Sequence, residues 1–451
     1  MSRSDFAAVI LAAGSGTRMQ STIPKVMHPV AGRPMIAHLT AALAPLRPMA
    51  TVVVVAPQME AVARLVEPAV SVVQDPPLGT GDAVRAGLAA LAGCLAPQGA
   101  IKDVLVLFGD TPLLQAETLA LLIDERRRSA AAVVVAALRP PHPGAYGRLV
   151  LAGDGALERI VEAADATPEE LAIGLVNGGI MAIAACHAAG LVATLDRNNA
   201  KSEFYLTDIV PAARRRGLDC RVVELPAEEL IGVNTRADLA EAEALMQQRL
   251  RHRAMEAGTT LVAPETVFLS ADTRLGRDVT VEPNVVFGPG VEIGEGARIK
   301  SFSHLEGASV GAGAIVGPFA RLRPGAVLEE GVHVGNFVEI KEARLGAGAK
   351  ANHLSYIGDG TVGAGANIGA GTITCNYDGV NKHRTIIGER AFIGSNAALV
   401  APVEIGAGAI VAAGSVVTRD VPKDALSVAR GQQVDKPGRA AEIRARLRRQ
   451  N

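Results

Sequence analysis

Residues 281–299 read VEPNVVFGPGVEIGEGARI and carry a pattern that returns every six residues. The repeated position holds an aliphatic or aromatic residue, here Val281, Phe287, Ile293 and Ile299. The pattern runs on to Ile340 with one slip after Leu305, and a further block covers 387–417. This period predicts triangular coils with one hexad on each side, whose inward side chains stack into an apolar column. Glycine follows many of the repeated residues and lets the corners turn sharply.

The composition limits what the rest of the chain can be. One hydrophobic core supports about 250–300 residues, so a chain of 451 residues predicts two domains. Apolar residues make up 49% and charged residues 20%, which is typical of globular proteins. The 45 basic and 46 acidic residues leave a net charge of −1, so no overall field attracts nucleic acid or an anionic membrane. We expect neither as a partner.

The lack of recognisable targeting signals and the spacing of the cysteines favour a cytoplasmic protein. No apolar run approaches the ~18 residues of a membrane span, and the segment MSRSDFAAVILAAG lacks the cleavage site of a signal peptide. The four cysteines are scattered without paired spacing, which argues against disulfides and a zinc site. They are Cys94, Cys186, Cys220 and Cys375.

The first 230 residues predict a Rossmann-like α/β domain with a mostly parallel sheet. Continuous apolar runs predict buried strands at Ala7–Ala12, Thr51–Ala56, Val104–Phe108 and Ala132–Ala137. Amphipathic runs between them predict helices at Met35–Leu43, Met59–Val66, Gly81–Leu91 and Glu117–Arg128. In such sheets ligands bind beyond the carboxyl ends of the strands. We expect domain 1–230, a helical linker at 231–255 and a repeat domain at 256–451.

A glycine-rich turn follows the first predicted strand. Residues 11–19 read LAAGSGTRM, where Gly14 and Gly16 let backbone N–H groups approach phosphate closely and Arg18 adds a positive charge. The turn is neither the GxGxxG dinucleotide fingerprint nor a P-loop. Lys25 follows in the sequence IPK.

This motif, LAAGxGTRM followed by PK, resembles the signature of nucleoside-diphosphate-sugar pyrophosphorylases. The resemblance implies that Arg18 and Lys25 neutralise the triphosphate and the sugar phosphate. It implies a Mg²⁺ site at Asp110 and Asn234, and a carboxylate at a strand end suits that ion. The implied UTP and UDP-sugar contacts are Leu11, Ala12, Ala13, Gly14, Lys25, Gln74, Gly79, Thr80, Phe108, Gly109, Asp110, Gly147, Glu162, Asn177 and Asn234. The chain departs from the family at Phe108, commonly Tyr, and at Gly178, commonly Thr.

Polar residues interrupt the hexads between residues 321 and 379, and these runs resemble the acetyltransferase domain of the bifunctional N-acetylglucosamine-1-phosphate uridylyltransferase and glucosamine-1-phosphate acetyltransferase family. The resemblance implies a left-handed parallel β-helix and makes His353 the general base, a role that suits the pKa of histidine. The implied sugar-phosphate contacts are Arg323, Lys341, Tyr356 and Asn367. The implied acetyl-CoA contacts are Ala370, Asn376, Tyr377, Ser395, Ala413 and Arg430. We expect an extruded loop at Thr374–Arg384, and the resemblance implies a homotrimer with sites between subunits.

The sequence therefore favours an enzyme with two active sites. Acetyl-CoA would acetylate glucosamine 1-phosphate, and UTP would then convert N-acetylglucosamine 1-phosphate into UDP-N-acetylglucosamine with release of pyrophosphate. One alternative is a nucleotidyltransferase whose β-helix only oligomerises or binds a regulator. Another is an assembly scaffold with degenerate sites. The basic tail from Gly431 onward reads as a solvated helix or a frayed end.

Overall fold

A computed structural model describes residues 5–14, 16–94 and 101–449. The chain forms two compact units divided between Arg249 and Leu250, inside one long helix, Arg236–Glu256. Helix formation over the predicted run 238–255 is confirmed. The described helices include none with the length and apolarity needed to span a bilayer. The side chain of Cys94 lies outside the described part.

The first unit is an α/β domain. Its strands are β1 Phe6–Leu11, β2 Pro29–Val30, β3 Arg33–Pro34, β4 Ala50–Val55, β5 Val70–Val73, β6 Asp103–Phe108, β7 Val133–Leu138, β8 Arg148–Leu151, β9 Leu157–Val161, β10 Val176–Ala184 and β11 Cys220–Glu224. The α-helices of the chain are α1 Met35–Leu43, α2 Glu60–Leu65, α3 Thr80–Cys94, α4 Ala116–Ser129, α5 Pro168–Leu171, α6 Ala185–Val192, α7 Ile209–Arg215, α8 Arg236–Glu256 and α9 Arg439–Arg448. The four strands and four helices predicted for this unit all form, with ends shifted by a few residues.

The main sheet of the first unit has the order β11-β7-β10-β6-β1-β4-β5. Strand β1 pairs in parallel with β4 and β6, whereas β10 runs antiparallel to β6 and β7. Every side chain of β1 is buried, as expected for a strand covered on both faces. The mostly parallel sheet is confirmed, and the carboxyl ends of β1 and β6 lie side by side, where the amide of Gly109 donates to the Leu11 carbonyl at 2.9 Å.

The second unit consists of short parallel strands wound into coils. They are β12 Thr260–Leu261, β13 Arg274–Leu275, β14 Thr280–Val281, β15 Val286–Phe287, β16 Glu292–Ile293, β17 Arg298–Ile299, β18 His304–Leu305, β19 Ala308–Val310, β20 Ile315–Val316, β21 Arg321–Leu322, β22 Ala326–Leu328, β23 His333–Asn336, β24 Glu339–Leu345, β25 Lys350–His353, β26 Tyr356–Val362, β27 Asn367–Ile368, β28 Ile373–Cys375, β29 Thr385–Ile387, β30 Phe392–Ile393, β31 Ala398–Val400, β32 Val403–Ile405, β33 Ile410–Val411, β34 Val416–Val417 and β35 Leu426–Ser427. Their parallel pairing confirms the predicted β-helix.

The hexad positions form the core of this unit, as predicted. The three blocks of repeated residues, from Val281 to Val417, belong to one buried apolar cluster. Successive turns stack in register, so that Thr280 pairs with Arg298 one turn later. The turn from Asn367 to Phe392 is longer than the others because residues 376–384 leave the coil between β28 and β29. The predicted extruded loop is therefore confirmed, and α9 is exposed along its length, as expected for the tail.

The glycines after the inward residues serve a purpose different from the one predicted. A Cβ atom on Gly335 would lie 2.0 Å from the carbonyl oxygen of Asn352, and one on Gly394 would lie 2.4 Å from the amide nitrogen of Ala413. These glycines allow the next coil to approach closely. The left-handed backbone of the corners falls at other positions, such as Gly331 with φ +65°.

Replacing Gly335 by Ala should destabilise the second unit. The added methyl would force the backbone of β25 away, an overpacking that costs about 1–3 kcal/mol. We expect a lower midpoint of thermal unfolding, measured by calorimetry. The control is Gly431→Ala, since nothing lies within 4 Å of a Cβ at that glycine. Equal midpoints for the two variants would contradict the close-approach explanation.

Candidate active sites

The first candidate site is a cavity of about 470 Å³ at the carboxyl ends of β1 and β6. The predicted nucleotide contacts that line it are Leu11, Ala12, Ala13, Gly14, Lys25, Gln74, Gly79, Thr80, Phe108, Asp110 and Asn234. Gly109 lies between two of these residues. The structure thus gathers residues from distant parts of the sequence in one cavity, and their binding roles stay predictions.

Charged and amide groups meet at one point of this cavity. The ammonium of Lys25 contacts the Asp110 carboxylate in a short ion pair. The same ammonium donates to Asn234 Oδ1 at 3.1 Å, and Arg18 Nη2 donates to that oxygen at 3.0 Å. Lys25 therefore contacts both residues that were predicted to bind metal, and Arg18 contacts one of them, Asn234. Among the described residues, no cluster of three or more His, Cys, Asp or Glu could hold a metal.

Two residues that sequence reasoning missed hold Asn234 in place. Asp238 Oδ2 accepts hydrogen bonds from the amides of Asn234 and Thr235, at 2.8 and 2.9 Å. Thr235 Oγ1 accepts in turn from the amide of Asp238 at 3.2 Å, which makes a reciprocal cap at the start of α8. Arg236 donates to the Met19 carbonyl at 3.2 Å and contacts His28 Nδ1 at 3.3 Å. The sequence Thr-x-x-Asp before the helix was the available signal for this cap.

The loop after β5 is fixed by its own side chains. Gln74 Nε2 donates to the Gly79 carbonyl at 3.0 Å and to Asp82 Oδ2 at 2.9 Å. A Cβ atom on Gly79 would lie 2.7 Å from the carbonyl oxygen of Phe204, so this glycine allows two loops to touch. Glu203, which sequence reasoning missed, also lines the cavity.

The predicted sugar contacts form a second group beside β8, β9 and β10. The amide of Asn177 donates to the Gly147 carbonyl at 2.8 Å, and Thr207 Oγ1 donates to Glu162 Oε1 at 3.2 Å. Burial raises the pKa of Glu162 above its usual value, against a smaller opposing effect of the Thr207 hydrogen bond. A carboxylate and an amide here suit recognition of hydroxyl and amide groups on a sugar.

The two departures from the family pattern have different surroundings. A Cβ atom on Gly178 would lie 2.7 Å from Cδ1 of Leu230, which is buried. A threonine at this position would have to displace that leucine. Phe108 packs beside Gly179, whose Cβ would lie 3.3 Å from the phenyl ring. Leu230 therefore occupies the space that a side chain at position 178 would need.

The second candidate site centres on His353 in the second unit. Strand pairing sets Asn336 directly beside His353, and Asn336 Oδ1 lies 2.8 Å from His353 Nδ1. With this oxygen as acceptor, Nδ1 carries the proton and Nε2 is the basic nitrogen. The imidazole is exposed, so an incoming amine can reach it.

Cationic side chains gather near the predicted sugar-phosphate position. Arg323 Nη1 donates to Glu339 Oε1 at 2.9 Å, and Lys341 Nζ lies 3.6 Å from Asp359 Oδ2. Lys382 lies near Lys341, whose ammonium lowers the pKa of Lys382. Glu339, Asp359 and Lys382 were missed by sequence reasoning, although a basic run in the extruded loop was a signal for Lys382.

Tyr356 and Asn376 connect this cationic group to the extruded loop. Asn376 Nδ2 donates to Tyr356 Oη at 3.4 Å and to Asp359 in a short contact. Asn367, the fourth predicted sugar-phosphate contact, lies on β27 beside Lys350 of the preceding coil. The structure therefore connects a predicted sugar contact with a predicted acetyl-CoA contact.

A single carboxylate organises the extruded loop. Asp378 accepts hydrogen bonds from the amide of Asn381 at 2.6 Å, from His383 Nε2 at 2.7 Å and from the amide of Val380 at 2.8 Å. These bonds lower the pKa of Asp378 to about 2. Tyr377 is exposed, and its hydroxyl donates to the Gly379 carbonyl.

The remaining predicted acetyl-CoA contacts lie along one edge of successive coils. The amide of Asn396 donates to the Ala370 carbonyl at 2.7 Å, and the amide of Gly414 donates to the Ser395 carbonyl at 2.8 Å. Arg430 Nη1 donates to the Ala413 carbonyl at 2.8 Å. Residues far apart in sequence therefore form one continuous row.

Comparison with known families matches this division. The first unit matches the MobA-like NTP transferase domain over residues 8–196. The second matches the six-repeat bacterial transferase hexapeptide over residues 272–307 and the hexapeptide repeat of succinyl-transferase over residues 384–419. Fold and sites thus define a nucleotidyltransferase joined to a hexapeptide-repeat acyltransferase.

Full-length relatives narrow this class to one family. The bifunctional protein GlmU of Rhodospirillum rubrum is 59% identical over 444 residues, covering 98% of this chain and 98% of the relative. That of Sphingopyxis alaskensis is 56% identical over 446 residues, covering 98% and 97%. That of Paramagnetospirillum magneticum is 54% identical over 446 residues, covering 99% and 98%. The chain belongs to the bifunctional GlmU family.

Replacing Glu162 by Gln should stabilise the first unit at neutral pH. A carboxyl group whose folded-state pKa is raised supports folding below its usual pKa of 4.5 and loses that support as the pH rises through the folded-state value. We expect the variant to unfold about 2–4 °C above wild type at pH 7.5, and at the same temperature near pH 4. Differential scanning calorimetry measures both.

Glu158→Gln is the matched control, because Glu158 lies exposed on the same strand. It should leave the midpoint unchanged at both pH values. A gain at pH 7.5 that persisted at pH 4 would rule out the burial of charge as its cause.

Proposed function

We propose that this chain synthesises UDP-N-acetylglucosamine with two active sites, one in each unit. The second unit acetylates glucosamine 1-phosphate with acetyl-CoA, and the first transfers uridylyl from UTP to the product. The observation that carries the proposal is the polar content of these coils: Asn336 holds the ring of His353, and Arg323, Lys341 and Lys382 form a cationic cluster. A repeat that served only as a scaffold has no use for either. We also propose a cytoplasmic location, since cysteines scattered through the sequence without paired spacing are typical of proteins from a reducing compartment.

In the first unit an oxygen of the sugar phosphate attacks the α-phosphorus of UTP, and the bond to the β-phosphate breaks to release pyrophosphate. The chain supplies no nucleophile, because positioning and charge stabilisation suffice for phosphoryl-type transfer. Arg18 and Lys25 draw the phosphates into line. Asp110 and Asn234 offer one carboxylate and one amide oxygen, a donor set that suits Mg²⁺. When bound, Mg²⁺ would neutralise charge on the phosphate oxygens.

In the second unit the amine nitrogen of glucosamine 1-phosphate attacks the thioester carbonyl of acetyl-CoA. The carbon–sulfur bond breaks, and CoA leaves as its thiol after protonation. His353 Nε2 takes the proton that the amine must lose, while Asn336 holds the ring through Nδ1. Arg323, Lys341 and Lys382 face the dianionic phosphate, whose charge compensates their mutual repulsion.

The proposed assembly is a homotrimer through the β-helix. Phe302, Phe319, Phe337 and Leu354 stand one above another at a corner of successive coils, and each is about half exposed. The rings of Phe302 and Phe319 stack at 4.9 Å, and those of Phe319 and Phe337 at 5.2 Å. This aromatic ladder ends beside His353. Further copies of the chain would cover its apolar surface and complete the acetyl-transfer site.

The two activities should separate by mutation. We expect His353→Ala to lower thiol release from acetyl-CoA at least about 100-fold, as the loss of a general base does, and to leave pyrophosphate release from UTP and added N-acetylglucosamine 1-phosphate intact. Asp110→Ala should show the reverse. The assay follows thiol with a chromogenic disulfide and pyrophosphate with a coupled enzyme. Loss of both activities in either variant would contradict two independent sites.

The aromatic ladder should control assembly. Phe319→Ser removes the central ring, so we expect dissociation and loss of acetyl transfer, measured by light scattering after gel filtration and by thiol release. Phe268→Ser is the matched control, since Phe268 is 46% exposed and Phe319 is 44% exposed, but Phe268 lies off the ladder. A wild-type monomer active in acetyl transfer would contradict the trimer.

A further inference from the structure

The ammonium of Lys25 stands where a metal ion would stand. It contacts the Asp110 carboxylate and lies 3.1 Å from Asn234 Oδ1, so one cation bridges the two oxygens that are proposed to bind the metal. Both side chains of the ion pair are mostly shielded from solvent, with 12% exposure for Lys25 and 14% for Asp110. Shielding strengthens the attraction, because little water screens it.

The oxygen of Asn234 has no lone pair left over. An amide oxygen accepts two hydrogen bonds, and Lys25 and Arg18 supply both, at 3.1 and 3.0 Å. A metal ion that binds this oxygen must displace one of these donors. Lys25 is the donor that also occupies Asp110, so it is the one that blocks both ligands.

We propose that Lys25 serves as an internal cation in the free enzyme and that a divalent metal must displace it. This inference rests on the proposed uridylyl transfer. The displaced ammonium is a buried charge that needs a new anion, and the phosphates of the incoming nucleotide provide one. The metal alone therefore binds weakly, whereas metal and triphosphate bind cooperatively. By linkage, each raises the affinity for the other by the same factor.

The ion pair between Lys25 and Asp110 also spares the free enzyme an unfavourable state. With Lys25 moved away and no metal present, Asp110 would be a shielded carboxylate without its cation. The ion pair keeps the ligands in place until the nucleotide arrives. Lys25 then has two positions in one cycle, on the carboxylate before binding and on phosphate afterwards.

Mn²⁺ binding to the full-length protein tests the inference. Free Mn²⁺ is measured by electron paramagnetic resonance, with and without UTP. No sugar phosphate is added, so no turnover takes place. Lys25→Met keeps the length of the side chain and removes its charge. We expect this variant to bind Mn²⁺ about tenfold more tightly than wild type without nucleotide. The factor by which UTP raises Mn²⁺ affinity should shrink in the variant.

Lys102→Met is the matched control, since Lys102 is an exposed lysine of the same unit, paired with Asp5. It should bind Mn²⁺ as wild type does. Lys25→Gln should act like Lys25→Met. Retained acetyl transfer and a cooperative unfolding transition would show that both variants fold, while the unfolding midpoint should fall because Asp110 has lost its cation.

Three outcomes are decisive. Tighter Mn²⁺ binding in both Lys25 variants supports the inference. Equal or weaker binding in folded Lys25 variants overturns it, while loss of Mn²⁺ binding in Asp110→Ala would then still support the proposed metal site. Wild-type Mn²⁺ binding in Asp110→Ala overturns the inference together with that metal site.

Discussion

Hydrogen bonding from each coil to the next is the interaction on which the second unit depends. The amide of Ile315 donates to Val332, and the amide of His333 donates to Ala349, one turn further on. This ladder fixes the vertical position of every side chain. A residue therefore has as its nearest neighbours the residues one turn away, and this is how Asn336 comes to hold His353. The second site is a stack of such neighbours with polar residues in place of the usual ones.

The first unit also brings distant residues together, but it does so through the ends of parallel strands and one backbone hydrogen bond. Parallel pairing of β1 with β6 sets two strand ends side by side, and the amide of Val233 donates to the Asp110 carbonyl at 2.9 Å. This one backbone contact brings a segment from the end of the unit to Asp110, the carboxylate proposed to bind the metal. Asp238 then orients Asn234 by capping the helix that follows. Each site is thus built by backbone pairing first and side chains second.

The sequence was most informative where a period or a motif decided the structure. The hexads predicted the core of the second unit residue by residue, and apolar runs predicted strands of the first unit. The cavity residues around Gly14 and Asp110 were predicted through resemblance to a family. Residues such as Asp359 and Lys382 were missed because their role depends on which coils become neighbours across a loop, and no local pattern records that distance. The steric task of Gly335 was missed for the same reason, since the atom it avoids belongs to the next coil.

The extruded loop has a consequence for how such an architecture can change over time. Residues 376–384 leave the coil, yet Phe392 pairs with Asn367 before the loop and with Ile410 after it, as though nothing had been inserted. An insertion at a corner therefore leaves the strand pairing of the coils on either side unchanged. Ancestral repeats could acquire, lengthen or exchange such segments without refolding the column, and protein engineers can graft new recognition loops at the same corner for the same reason.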